Sequence, residues 1–140
     1  MNVHGVMETV LYVPDLKAAE QFYTTVLNLQ IFSAEPDRHL FFRCDDRLFL
    51  LFNPATTESH SMAINGVHLP LHGARGPGHA AFRVFERELP AWRERLKRLN
   101  VPIEAEIVWP QGGHSIYFRD PAGNSLELVT PAVWGLSEDE

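Results

Sequence analysis

Two segments of this chain can be laid over each other. Phe41-Phe42-Arg43 overlays Tyr117-Phe118-Arg119, and Leu48-Phe49-Leu50-Leu51-Phe52-Asn53-Pro54 overlays Ser125-Leu126-Glu127-Leu128-Val129-Thr130-Pro131. Carried back toward the start of each half, with Val13 over Val84, the same alignment sets Glu8 over His79. A duplicated chain of 140 residues folds as two copies of one small unit.

The order of elements in each unit follows from periodicity. Val6–Val13 is a β-branched and aromatic run stopped by Pro14, which has no N–H to give to a strand ladder. Asp15 is placed to cap a helix in which Ala19, Phe22, Tyr23, Val26 and Leu27 recur at three- and four-residue steps. Strands are expected near 29–33, 39–44 and 48–53, with Asp45-Asp46-Arg47 as the turn between the last two. The second half repeats this order. His79–Val84 reads as a strand and Glu88–Leu99 as a helix, with Pro90 tolerated in its first turn. Strands follow at 103–109, 114–119 and 125–129, the last two joined by Asp120-Pro121-Ala122-Gly123-Asn124. The fold class is therefore α+β, two βαβββ modules over about 5–54 and 78–131, each a sheet with a helix on one face and a free face that must be hidden or used. Residues 55–77, rich in Pro and Gly and carrying His60, His68 and His72, read as a linker or a functional lid. Residues 132–140, ending Ser137-Glu138-Asp139-Glu140, read as a solvated acidic tail.

Composition excludes several functions. Twelve Lys and Arg against eighteen Asp and Glu give a formal charge of −6, which repels a phosphate backbone, so nucleic acid is not an expected partner. No apolar run approaches the roughly 20 residues that span a bilayer, and the first residues lack the pattern of an export signal. With Cys44 the only cysteine, no internal disulfide or thiolate metal cluster can form. A cytoplasmic location is the expectation, and any metal must be held by His and carboxylate.

Strand alternation selects the candidate ligands. With Thr9, Leu11 and Val13 under the first helix, Glu8 faces the other way. With Phe82, Val84, Leu126 and Leu128 under the second helix, His79 and Glu127 also turn to the free face. Taken singly, Glu127 suits the solvent side of an alternating strand, and His79 suits a strand-opening residue bonded to backbone. Together, two carboxylates and an imidazole on a face that a paired unit would enclose need neutralising, and a divalent Fe, Mn, Co, Ni or Zn ion does so with positions left open for water or substrate.

These residues carry a resemblance. Leu11-Tyr12-Val13-Pro14-Asp15-Leu16 with Phe22-Tyr23, and the run Tyr117–Leu128, resemble the vicinal oxygen chelate superfamily, which includes glyoxalase I, bleomycin and fosfomycin resistance proteins and extradiol dioxygenases. The resemblance spans about residues 6–131. It implies paired modules forming a cupped mixed sheet around a divalent metal, usually in a homodimer. It also implies Glu8, His79 and Glu127 as metal ligands. Two departures stand out. Leu50 occupies the place of a fourth ligand in glyoxalase I-like members, and Glu8 replaces a residue that is often His, so the two-His, one-carboxylate set of the dioxygenases is not met.

The function expected is that of a metal-dependent enzyme acting on a small oxygenated substrate by lyase, isomerase or dioxygenase chemistry, with two neighbouring substrate oxygens chelated by the ion. Glu127, Tyr117 and His114 are the candidate catalytic residues. Arg43 or Arg83 is placed to orient substrate, and His72 is a second candidate proton carrier beside His114. The alternative is a metal-free protein of the bleomycin resistance type, binding a small molecule or drug between Phe41, Phe52, Trp109 and Tyr117.

Overall fold

A computed structural model describes residues 1–138; Asp139 and Glu140 of the expected acidic tail lie outside the described residues. The chain divides into two compact units, Met1–Gly76 and a second beginning at Pro77.

In the first unit the order is β1 (Glu8–Tyr12), α1 (Leu16–Thr25), β2 (Gln30–Glu35), β3 (His39–Cys44), β4 (Arg47–Phe52), α2 (Pro54–Thr57), β5 (Ala63–Ile64) and β6 (Val67–His68). The second unit runs β7 (His79–Arg83), a 3-10 turn at Glu86–Glu88, α3 (Leu89–Arg98), β8 (Ala105–Val108), β9 (His114–Arg119), β10 (Ser125–Val129) and a 3-10 turn at Pro131–Trp134. The two main sheets share one topology, β1-β4-β3-β2 and β7-β10-β9-β8. In each the first strand lies parallel to the last and the other pairs are antiparallel. This is the βαβββ module found twice, as the duplication predicts.

Local chemistry explains the helices. Asp15 sits in an extended conformation and its Oδ1 accepts from the N–H of Ala18 at 3.0 Å, satisfying one of the donors a helix start leaves free. α1 gives way at Asn28, which takes φ 55°. α3 carries Arg95, Lys97 and Arg98 in its last turn, where cations meet the negative end of the helix dipole, and Asn100 ends it at φ 56°. On the inner face of α1, Tyr23 is fully buried with its ring 5.8 Å from Phe42 and 5.2 Å from Phe49, and Leu11, Val13 and Leu51 are buried in the same unit. The core of the second unit is its counterpart, built from Ala80, Leu89, Leu96, Ile116, Phe118, Leu126 and Leu128.

Residues 55–76 fall within the first unit, which runs to Gly76. α2 is capped by Asn53, the His72 N–H donates to the Thr57 carbonyl at 3.1 Å, and the His72 ring meets the Tyr12 hydroxyl at 2.7 Å. The tail is not simply solvated: Val133 is buried, and Arg83 donates to the carbonyl of Glu138 at 2.8 Å. In the hydrogen-bonded β5–β6 hairpin, Asn65 and Gly66 both take positive φ, 51° and 77°, the conformation a tight hairpin turn demands.

Candidate metal centre

Register brings His79 and Glu127 together. In the parallel pair β7/β10, Ser125 lies beside His79 and Glu127 beside Ala81, so the two ligand-type side chains are diagonal neighbours on the face turned from α3. Their closest atoms, His79 Nε2 and Glu127 Oε2, are 3.3 Å apart. The other ring nitrogen, Nδ1, is 3.0 Å from the Ser125 carbonyl oxygen. A carbonyl only accepts, so Nδ1 carries a proton and the ring turns its Nε2 toward a carboxylate oxygen. Two electron-rich atoms at that separation call for a positive charge between or beside them. A proton on Nε2 meets that need, and so does a divalent cation, for which imidazole nitrogen and carboxylate oxygen are suitable donors.

Glu127 is 8% exposed, and its second oxygen is already committed. Ser115 Oγ donates to Oε1 at 2.5 Å, and Ser115 accepts in turn from the indole N–H of Trp109 at 2.8 Å. Tyr117 stands directly opposite Glu127 across β9/β10, its ring stacked over that of His79 with centroids 6.4 Å apart. Burial raises its phenol above the ordinary value; the Glu127 carboxylate pushes the same way while hydrogen bonding to Ser115 opposes. Tyr117 is therefore a neutral O–H donor near pH 7. Beside it, Glu104, Ala105, Ile107, Tyr117 and Ser125 line a cleft of about 360 Å³.

The remaining candidates are placed elsewhere. Glu8 opens β1 opposite Leu48, the same register His79 holds opposite Ser125, and it is exposed. Leu50, the counterpart of Glu127, is buried between Val10 and Phe41 and offers no donor. Among the described residues no group of three or more His, Cys, Asp or Glu is gathered closely enough to hold a metal ion. His114 does not join His79 and Glu127: it alternates with Ile116 and Phe118 on the α3 side of β9, and its Nδ1 lies 2.6 Å from Glu86 Oε1. Arg83 is engaged by the backbone of Ser137 and Glu138, Arg43 lies 4.5 Å over the Phe32 ring, and His72 is bonded to Tyr12. The site residues that sequence reasoning missed are Ser115 and the indole N–H of Trp109. Parity with Tyr117 marked Ser115, because residues two apart on a strand share a face.

A profile of the glyoxalase/bleomycin resistance protein/dioxygenase superfamily matches residues 5–128. The chain belongs to this superfamily. Among solved structures, it is similar to a lactoylglutathione lyase from Agrobacterium tumefaciens, with 39% identity, a TM-score of 0.88, and coverage of 97% of this chain and 100% of that one. A mutant of the fosfomycin resistance protein FosX from Listeria monocytogenes, complexed with Mn(II) and a dihydroxypropylphosphonic acid, shares the fold at 22% identity and a TM-score of 0.67, over 91% of this chain and 90% of that one. The metallothiol transferase FosB of Bacillus licheniformis is 37% identical over 57 residues, which is 40% of this chain and only 37% of that protein's length. No described helix of this superfamily member is long and apolar enough to cross a membrane.

Proposed function

We propose that the chain is a metal-dependent enzyme of the lyase or isomerase type, acting on a small substrate with two neighbouring oxygens. The observation that carries this reading is His79 Nε2 set 3.3 Å from Glu127 Oε2 on a buried carboxylate. His79 and Glu127 would hold the ion, with Glu8 as third ligand by its equivalence to His79. A bound divalent ion supplies Lewis-acid stabilisation to an oxygen that gains negative charge during reaction.

The protein's own groups do the rest. Ser125 fixes the His79 tautomer through Nδ1, and Ser115 fixes the Glu127 rotamer through Oε1. Tyr117, held protonated, sets its hydroxyl against Glu127 and Ser115, where it can turn to orient a substrate oxygen or to stabilise charge on it. The adjoining cleft takes the body of a small molecule. The likeness to a lactoylglutathione lyase over the full chain supports the lyase type. Buried Leu50 argues against a four-ligand site.

The test is a titration of metal-free protein with Mn²⁺, Fe²⁺, Co²⁺, Ni²⁺ and Zn²⁺, followed by assays with lactoylglutathione and with fosfomycin plus a thiol. One ion per chain is expected, and His79→Ala and Glu127→Gln should each weaken it by about tenfold or more. Failure of all five ions to bind overturns the enzyme reading in favour of a metal-free binding protein.

A further inference from the structure

Three side chains behind the His79–Glu127 pair form a chain of hydrogen bonds whose direction is fixed by their chemistry. The Trp109 indole has a donor and no acceptor, and Glu127 Oε1 accepts from Ser115. Ser115 stands between them, fully buried, 2.8 Å from the indole nitrogen and 2.5 Å from Glu127 Oε1. Its one proton must go to Glu127, and one of its lone pairs must receive the Trp109 N–H. No rotation of the hydroxyl satisfies both neighbours in the reverse sense.

The backbone anchors this chain at both ends. Trp109 closes the β8–β9 turn, its N–H donating to the Gly113 carbonyl at 3.0 Å and its carbonyl accepting from Gly112 at 2.9 Å. Ser115 pairs with Val129 across β9/β10, one step along the ladder from Glu127 on the same face. The indole is therefore tied down where it donates, and the hydroxyl has no spare proton for a substrate.

We propose that Trp109 and Ser115 are positioning residues that hold Glu127 through Oε1 and set Oε2, the oxygen facing His79, to be offered to a cation, so that Glu127 ligates through Oε2. The ligation half of this statement rests on the function proposed above; the relay itself does not. A hydrogen bond to an ionised oxygen is shorter and stronger than a neutral one, and it polarises the bond behind it. Charge on Glu127 is thus felt at the Trp109 N–H.

The relay is tested on metal-free, full-length protein labelled with ¹⁵N, in which the Trp109 indole signal is identified by its loss in Trp109→Phe. Ser115→Ala and Glu127→Gln are each expected to move that signal upfield, with the Trp92 and Trp134 signals unmoved. Ser115→Thr, which keeps the hydroxyl, should restore it. A Trp109 signal indifferent to Glu127→Gln overturns the relay. For ligation, Ser115→Ala is expected to weaken Mn²⁺ binding by about 10- to 100-fold, with Ser115→Thr within a few-fold of wild type. Trp109→Phe combined with Ser115→Ala should be no worse than Ser115→Ala alone, because the indole acts through the hydroxyl. If Ser115→Ala lowers the melting temperature but leaves Mn²⁺ affinity unchanged, Ser115 is structural and the positioning role is lost. Wild-type protein that binds no Mn²⁺ overturns the ligation half together with the proposed function, and the indole spectrum then decides the relay by itself.

Discussion

His39 is stacked on Phe41 with ring centroids 4.0 Å apart, and its Nε2 lies 3.3 Å from the Ser33 hydroxyl. Burial lowers its pKa below the ordinary imidazole value, Arg38 lowers it further, and Glu35 opposes. Below the unfolded-state value of about 6.5 the unfolded chain binds a proton that the native state resists, so stability falls as pH drops from there toward the lower folded value. His39→Phe keeps the stacking and removes the proton, and denaturant unfolding between pH 5 and pH 7 should show a flatter stability profile than wild type. The same rules of parity and chemistry made part of the candidate site legible in the sequence. His79 and Glu127 were readable because alternation in Leu-Glu-Leu-Val leaves the carboxylate off the helix side. His114 does not share the face of this pair, and the signal is in the sequence: it is three residues from Tyr117, an odd separation that puts the two on opposite faces of one strand. Ser115 was passed over because a serine in a strand carries no mark of what it faces until the neighbouring strands are paired.

The turn between β9 and β10 sets the position of Glu127 against His79. Asp120 Oδ1 accepts from the backbone N–H groups of Ala122 and Asn124, and its Oδ2 accepts from the Asn124 side chain. Asn124 Oδ1 then reaches across to the N–H of Gly78 at 2.7 Å, just before β7 begins. Both side chains are buried, so the turn locks the two strands that bear the ligand pair. Asn124→Ala removes the bonds that its side chain makes to the Gly78 N–H and to Asp120, at a cost of about 2–3 kcal/mol in urea unfolding, and should weaken metal binding as β7 and β10 lose their register. The Asp-Pro-Ala-Gly-Asn turn was legible because each residue type has a turn role, and β3, β9 and β10 fall at the residues their alternation predicts. The connection after Pro54 was not. Its apolar residues follow no period, and what ties it to the first unit is particular: the Tyr12 hydroxyl bonded to His72, Arg38 donating to the His60 carbonyl, and Thr56 Oγ1 donating to the Asp37 carbonyl. Contacts of that kind depend on tertiary position, which local patterning does not encode.

At the scale of the molecule the duplication is unequal. Both units pair their first and last strands in one register, Glu8 with Leu48 and His79 with Ser125, yet the place of Glu127 in the first unit is held by buried Leu50. The first unit thus supplies one ligand-type side chain at these positions and the second supplies two. The three-ligand set proposed above would draw on both kinds of unit, from one chain or from two. The homodimer implied by the family resemblance makes the second arrangement the expected one, and mixing variants distinguishes them. Glu8→Gln and Glu127→Gln each remove a ligand from every site in their own homodimers. In a mixed dimer with sites shared between chains, one site carries both substitutions and the other carries neither. Equal amounts of the two variants, unfolded and refolded together, should regain about a quarter of the wild-type metal-binding sites, since about half of the dimers are mixed and each holds one intact site. Stoichiometry by titration with Mn²⁺ reads the outcome. No recovery places all three ligands in one chain, and full affinity in Glu8→Gln alone removes Glu8 from the ligand set.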